Sequence, residues 1–419
     1  MKLFLQKYKY HIFILLIGII WISVFDFITQ MSSQGVMHSD SYNYQESAKN
    51  LYVFLHGHIY RPILMAAITG IPYLFGGSDQ SVFAFSFYVN SCCWFASFLF
   101  LFEILKEFVK PKIAFVFTIF AVFIIGNTVH VFHLLTETIY QFFIVLAVYL
   151  LMKYYKTKDF WYLSLSLSLL LSSMLIKPGS KFLAIVITLY FIKEIIRNYK
   201  SKSIIFIYGS LLLIGIQCVG MKYQFGNFTI TYIDSVTYYA YVGSKAVCIK
   251  DSKEYSQKGN PRADYLFSQE AIDQKRIAGE DFKNQLQFNT LNLVKAYFSD
   301  VKENTVSGNS CLDEIKDFKN RSYFNFWKKL LFDVSKWQNR LFTSLGFVLA
   351  VFYLLKGYRN PNLLTIISFF ILYIIVLSGI SCGQGDRFHL VTFPFMIVLL
   401  AKCLSETKRF KPFFAPLQK

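Results

Sequence analysis

The chain carries apolar runs that decide its class, among them His11 to Phe25, Phe160 to Ile176, Ile204 to Val219 and Leu363 to Ile380. Each is at or near the roughly 20 residues needed to cross a hydrocarbon core. Within lipid a segment must satisfy its own backbone hydrogen bonds, so such runs are expected as helices. With 55% hydrophobic and 19% aromatic residues and a mean hydropathy of +0.42, the composition lies beyond that of a soluble domain. The first run follows Lys2, Lys7 and Lys9 but no small-residue cleavage site comes after it, so it is expected as an uncleaved first helix.

A net charge of +18 in a soluble protein would suggest a nucleic-acid partner; here its distribution reports topology instead, and no nucleic acid is expected. Five short basic clusters mark the cytoplasmic side under the positive-inside rule: Lys106, Lys110 and Lys112; Lys153, Lys156 and Lys158; Lys193, Arg197, Lys200 and Lys202; Lys356 and Arg359; Lys408, Arg409 and Lys411. The spans that satisfy this parity are 10–28, 82–104, 113–129, 138–154, 160–176, 181–197, 203–222, 340–356, 363–380 and 388–404. The expected fold is therefore an all-α polytopic membrane protein of about ten transmembrane helices in a cell (inner or plasma) membrane, both termini cytoplasmic. Ile63 to Phe75, short and broken by Pro72, is expected as a helix along the outer interface.

The expected organisation is an N-terminal transmembrane module over 1–223, with its first outward loop at 29–81, an extracytoplasmic loop subdomain over 224–337, and C-terminal helices with a cytoplasmic tail over 338–419. The subdomain reads as mixed α/β. NFTITYIDSVTYYAYVG alternates and is β-branched, whereas ADYLFSQEAIDQKRIAGEDFKNQL and TLNLVKAYFSDVKEN look helical. Of the cysteines only Cys248, Cys311 and Cys382 fall outside predicted helices, and a Cys248 to Cys311 bridge is expected as one alternative.

Asp40 lies in a polar stretch, HSDSYNYQESAKN, directly after the first span, and Glu137 opens a later helix. An ionisable group at a membrane helix end costs about 2–3.5 kcal/mol on insertion scales, so it needs water or a purpose. The bland readings are a solvated carboxylate for Asp40 and a dipole-favouring acid in the first turn for Glu137. Arg61, Lys177 and Arg387 fall on the same predicted outward side; two acids with these cations suit a phosphate leaving group and a general base. No cofactor is required by the sequence, although His38 with Asp40, or His133 with Glu137 at i and i+4, could hold a divalent metal.

The order of these motifs resembles the GT-C superfamily of integral-membrane glycosyltransferases, in particular the branch with protein O-mannosyltransferases and the lipid A aminoarabinose transferase. The resemblance is carried by the acid in HSDSYNYQESAKNLY, the Arg-Pro opening of YRPILMAAITGIPYLFG, the acid of LLTETIYQFFIVLAVYLL, the basic-Pro turn of LLSSMLIKPGS, and GDRFHLVTFPFMIVLL, where Phe388 replaces the usual Tyr. Asp40 stands alone where many relatives have paired acids, which leaves Asp40 and Glu46 both open as the base.

That resemblance implies a polyprenyl-phosphate-linked sugar as donor, an acceptor glycan, lipid or protein, and transfer on the extracytoplasmic face, usually with inversion. Asp40 would be the general base, a contribution of about 10²- to 10⁴-fold. Glu137 would orient the acceptor or Asp40, and Lys177, Arg387 and Arg61 would hold the departing phosphate. Tyr42, Tyr44, Glu46 and Tyr60 would contact sugar or acceptor. The rival is an O-antigen-type polymerase or ligase, which would rely on loop arginines such as Arg262, Arg276 and Arg321; a transporter comes third, since two matching interrupted halves are not evident.

Overall fold

The computed structural model describes residues 2–32, 39–313, 321–407 and 410–414. Among them every regular element is helical and none is a strand. The chain begins with α1 (Lys2–Thr29), α2 (Ser39–Tyr52), α3 (Ile63–Thr69) and α4 (Asp79–Leu105). It continues through α5 (Pro111–Val122), α6 (Ile125–Val129), α7 (Glu137–Thr157), α8 (Phe160–Ser173), α9 (Lys181–Tyr190), α10 (Ile192–Arg197) and α11 (Ile205–Phe225). Short helices follow: α12 (Ile233–Thr237), α13 (Ser244–Lys250) and α14 (Pro261–Phe267); then α15 (Ala271–Phe288), α16 (Thr290–Val306) and α17 (Ser310–Asp313). The last are α18 (Arg321–Lys356), α19 (Leu363–Leu377), α20 (Phe393–Glu406) and α21 (Lys411–Phe414).

Six helices among the described residues are long and apolar enough to cross a membrane, and a seventh results if the pair Pro111–Val122 and Ile125–Phe132, bent by 64°, counts as one span. The fold is an all-helical polytopic membrane protein, but the expectation of ten spans is corrected. The region 160–176 gives only the 14-residue α8, about 21 Å at 1.5 Å per residue. The region 181–197 is interrupted at Phe191 between α9 and α10. The last expected span begins in 3₁₀ turns and contributes only 14 α-helical residues. Burial explains how a short helix is tolerated: in α20 every residue from Phe393 to Leu399 is buried, packed by α4, α5, α18 and α19. A helix apolar on all sides and walled by protein need not match the bilayer in length.

The expected strand in the loop subdomain is also corrected. NFTITYIDSVTYYAYVG forms α12 and a π-helical turn, Tyr238–Gly243, that leads into α13. Val236, Tyr239, Ala240, Gly243 and Ala246 are buried, a spacing of three and four that puts them on one helical face. Val236, Tyr239 and Ala240 close on Leu266 and Ala278, and that packing outweighs the alternation of the β-branched residues upstream. The boundary at 337 falls inside the unbroken α18, and the one at 223 inside the last turn of α11. The expected interfacial segment is α3 and a 3₁₀ turn, Ile71–Phe75, with Leu74 and Phe75 exposed at its end. The expected bridge is corrected: Cys248 and Cys311 form no disulfide, Cys311 being buried in α17 and Cys248 belonging to α13.

Candidate functional site: a buried chain of alternating charge

The stretch holding Asp40 is expected as a loop but folds as α2. Tyr44, Ser47 and Ala48 are buried while Tyr42 and Glu46 are exposed, so one face, on which Asp40 and Tyr44 lie four residues apart, turns inward. Asp40 sits in the first turn, where an acid favours the helix dipole. Arg61 comes from the connection before α3, Glu137 from the first residue of α7, Lys177 from the turn between α8 and α9, and Arg387 from a 3₁₀ turn, Gly385–Arg387.

These five side chains form one line. Asp40 Oδ1 accepts from Arg61 Nη2 at 2.7 Å, and its other oxygen lies 2.8 Å from Arg387 Nη1. Arg387 Nε donates to Glu137 Oε1 at 2.8 Å, and Lys177 Nζ donates to the same oxygen at 3.2 Å. The order Arg61, Asp40, Arg387, Glu137, Lys177 therefore alternates in sign and carries one surplus positive charge. The Tyr44 ring lies under the Arg61 guanidinium at 4.4 Å, with its hydroxyl accepting from Arg61 Nη1 at 3.3 Å. Lys177 stands 5.5 Å from the Phe388 ring centre, so the phenylalanine offers the cation an aromatic face.

All five line a cavity of about 290 Å3 that also touches Thr229, Asp234, Tyr241, Tyr373, Gln384 and Ser381. Desolvation costs these charges dearly unless they are paired. At Arg387 burial works against the charge, but Glu137 and Asp40 outweigh it and hold the guanidinium well above its usual range. At Lys177 burial lowers the ammonium below its usual value, with Glu137 pulling the other way. Burial raises the Tyr44 phenol, which keeps it a neutral partner for Arg61.

The turn that presents Arg387 is pinned by a second polar group. Asn304 Nδ2 donates to the carbonyls of Ser378 at 3.0 Å and Cys382 at 3.2 Å, and its oxygen accepts from Gln384 N at 2.7 Å. Asn339 ties the end of α16 to α18 through Asn304 O at 2.7 Å. Asp386 is buried, accepts from Asn309 Nδ2 at 2.7 Å, and is pushed up to about 8 by burial. The same Asn309 nitrogen lies 3.3 Å from His130 Nε2, and His130 Nδ1 is 3.9 Å from Glu137. His130, Asn309 and Asp386 thus back the ion chain, and sequence reasoning missed them. Asp386 stood visible beside Arg387 in GDRFH, whereas Asn309 reaches it across 77 positions, a contact no local pattern announces.

Other expected site residues lie elsewhere. Tyr42 is exposed on the outer face of α2; Glu46, 62% exposed, lies 3.7 Å from His58. Tyr60 donates to Gln274 at 3.0 Å and packs in the subdomain cluster. None of the three lines the cavity. His38 lies outside the described residues. His133 is buried in the turn before α7 and its carbonyl accepts from Asn90 at 2.8 Å. Among the described residues no three His, Cys, Asp or Glu side chains converge as a metal site requires. Of the rival's arginines, Arg262 pairs with Asp281 at 2.8 Å and Arg276 with Asp273 at 2.9 Å. Neither lines the cavity, and the Arg321 side chain is outside the described residues.

No protein-family model matches the chain, and no curated protein sequence matches it. Among solved structures the chain is similar to the archaeal oligosaccharyltransferase AglB from Archaeoglobus fulgidus, solved in complex with an inhibitory peptide and a dolichol-phosphate. The TM-score is 0.44 at 10% identity, over 96% of this chain and 51% of AglB. The chain spans about half the length of that neighbour.

Proposed function

We propose that the chain moves a sugar from a polyprenyl-phosphate donor to an acceptor at the mouth of the membrane, as a GT-C type glycosyltransferase. The observation that supports this is the ion chain itself: three cations and two carboxylates, on one wall of one cavity. A phosphate is the ligand such a line lacks, because it takes up the surplus positive charge and competes with Asp40 and Glu137 for the same guanidinium and ammonium hydrogens.

In this reading the donor phosphate settles against Lys177, Arg387 and Arg61, loosening the hold of the two arginines on Asp40. The freed carboxylate oxygen takes the proton from an acceptor hydroxyl or amine. The acceptor atom then bonds to the anomeric carbon from the face opposite the phosphate, the carbon–oxygen bond to phosphate breaks, and its electron pair remains on the phosphate oxygen. Attack from the far face inverts the anomeric centre. Lys177 and Arg387 stabilise the charge that accumulates on the leaving group. Glu137 keeps the two cations together beforehand.

Replacing Asp40 with Asn tests the reading. The protein is reconstituted and offered a panel of polyprenyl-phosphate sugars, with release of polyprenyl phosphate measured by mass spectrometry. Release is expected to fall by about 10²-fold or more while expression and unfolding temperature stay near wild type. Undiminished release removes Asp40 from the chemistry.

A further inference from the structure

A second cavity, of about 580 Å3, lies at the far end of the same bundle. Helix α7 connects the two, with Glu137 in the ion chain and Lys156 on the second cavity's wall. The helix between them spans about 29 Å at 1.5 Å per residue, close to the roughly 30 Å of a bilayer's hydrocarbon core. Glu137 and Lys156 thus stand about one hydrocarbon thickness apart on a helix long and apolar enough to cross a membrane.

The charges here are unlike a random surface. Lys156 forms a close ion pair with Glu107. Lys356 and Lys402 share Glu406, at 2.9 and 3.2 Å on its two oxygens, and Tyr353 donates to Glu406 at 3.2 Å. Three lysines face two carboxylates, which leaves one cation unbalanced. Lys156 and Lys356 are half exposed, so their ammonium groups remain open to a ligand. The same cavity is also lined by Phe108, Met152, Leu363 and Leu364. Lysines from two basic clusters far apart in sequence thus converge on one concavity at the end of several spans.

We propose that this cavity binds the phosphate headgroup of an anionic phospholipid, from the leaflet opposite the ion chain. The surplus ammonium charge meets the phosphate, and the apolar part of the lining receives the glycerol and the first acyl carbons. A freely soluble phosphate compound would leave that part against water. Basic concavities between membrane helices attract anionic headgroups at about 1 kcal/mol per lysine, about five-fold in occupancy each.

The test uses the full chain in nanodiscs of mixed phosphatidylglycerol and phosphatidylcholine, with the lipids retained on extraction identified by native mass spectrometry. Wild type is expected to retain phosphatidylglycerol at 1:1 with a preference of about five-fold, from the one unbalanced lysine. The double variant Lys356→Gln, Lys402→Gln is expected to bring that near parity, and a control, Lys193→Gln with Lys200→Gln, to leave it unchanged. Asn360→Trp, which sets a bulky ring on the cavity lining at a residue outside its ion pairs, is expected to lose the lipid equally and covers the case in which the double variant does not fold. No preference in wild type, or an equal loss in the control, overturns the proposal. Displacement of the lipid by millimolar inorganic phosphate also overturns it, since the ligand would then be a soluble phosphate.

Discussion

Each carboxylate in the ion chain sits between two cations, and this shapes what single residues can do. Asp40 is partly open to the cavity, whereas the Glu137 side chain is only 2% exposed. In the proposed transfer Asp40 exchanges a guanidinium for a substrate proton; Glu137, holding Lys177 and Arg387 on one oxygen, has the geometry of a scaffold. Behind them Asp386, pushed up to about 8 by burial, supplies a pH signature. Its folded value lies above the ordinary carboxylate value near 4. Between about pH 4 and 8 the folded state therefore keeps a proton that the unfolded state releases. Stability from this group is present below that window, declines as pH rises through it at up to about 1.4 kcal/mol per unit, and levels off above about pH 8. Denaturant unfolding of wild type and Asp386→Asn across pH 5 to 9 should show a falling curve that flattens in the variant. Parallel curves would mean that Asp386 is not the group responsible.

At the scale of elements, the 3₁₀ turn that presents Arg387 depends on two glycines from distant parts of the chain. Gly385 has φ +60°, and a Cβ there would collide with the carbonyl oxygen of Gly308. Gly385→Ala is expected to cost about 1–2 kcal/mol for the left-handed backbone alone, with more from the collision. It should show as a lowered unfolding midpoint together with weakened donor binding, as the turn shifts Arg387. An unchanged midpoint would mean the turn relaxes freely. Helix α2 illustrates what the sequence could and could not say. Asp40, expected as a site acid from its place after the first span, lines the cavity, but its polar stretch hid a helix because the buried face is made of Tyr44, Ser47 and Ala48 rather than large aliphatics. The same helical turn explains why Asp40 and Tyr44 face the cavity and Tyr42 and Glu46 do not. Tyr60 went to the subdomain because its partner Gln274 lies 214 positions away.

For the whole molecule, hydropathy identified a helical membrane protein because the lipid requirement is written residue by residue. It overcounted spans because short helices such as α8 and α20 are as apolar as long ones, and their shortness depends on tertiary neighbours. Asp40, Arg61, Glu137, Lys177 and Arg387, all expected on one side of the membrane, meet in one ion chain, a contact that shared sidedness permits but does not dictate, whereas the Asn309 and Asp386 support behind them depends on the folded loop. The ion chain and the lysine cavity lie at opposite ends of α7, so one helix sets the distance between them. In the proposed function the ion chain holds a lipid phosphate. Native mass spectrometry of the detergent-solubilised full chain with a long-chain polyprenyl phosphate tests this most directly. A 1:1 adduct in wild type, reduced about ten-fold or more in Lys177→Gln, is the expected result; no adduct in wild type, or equal occupancy in the variant, would contradict it.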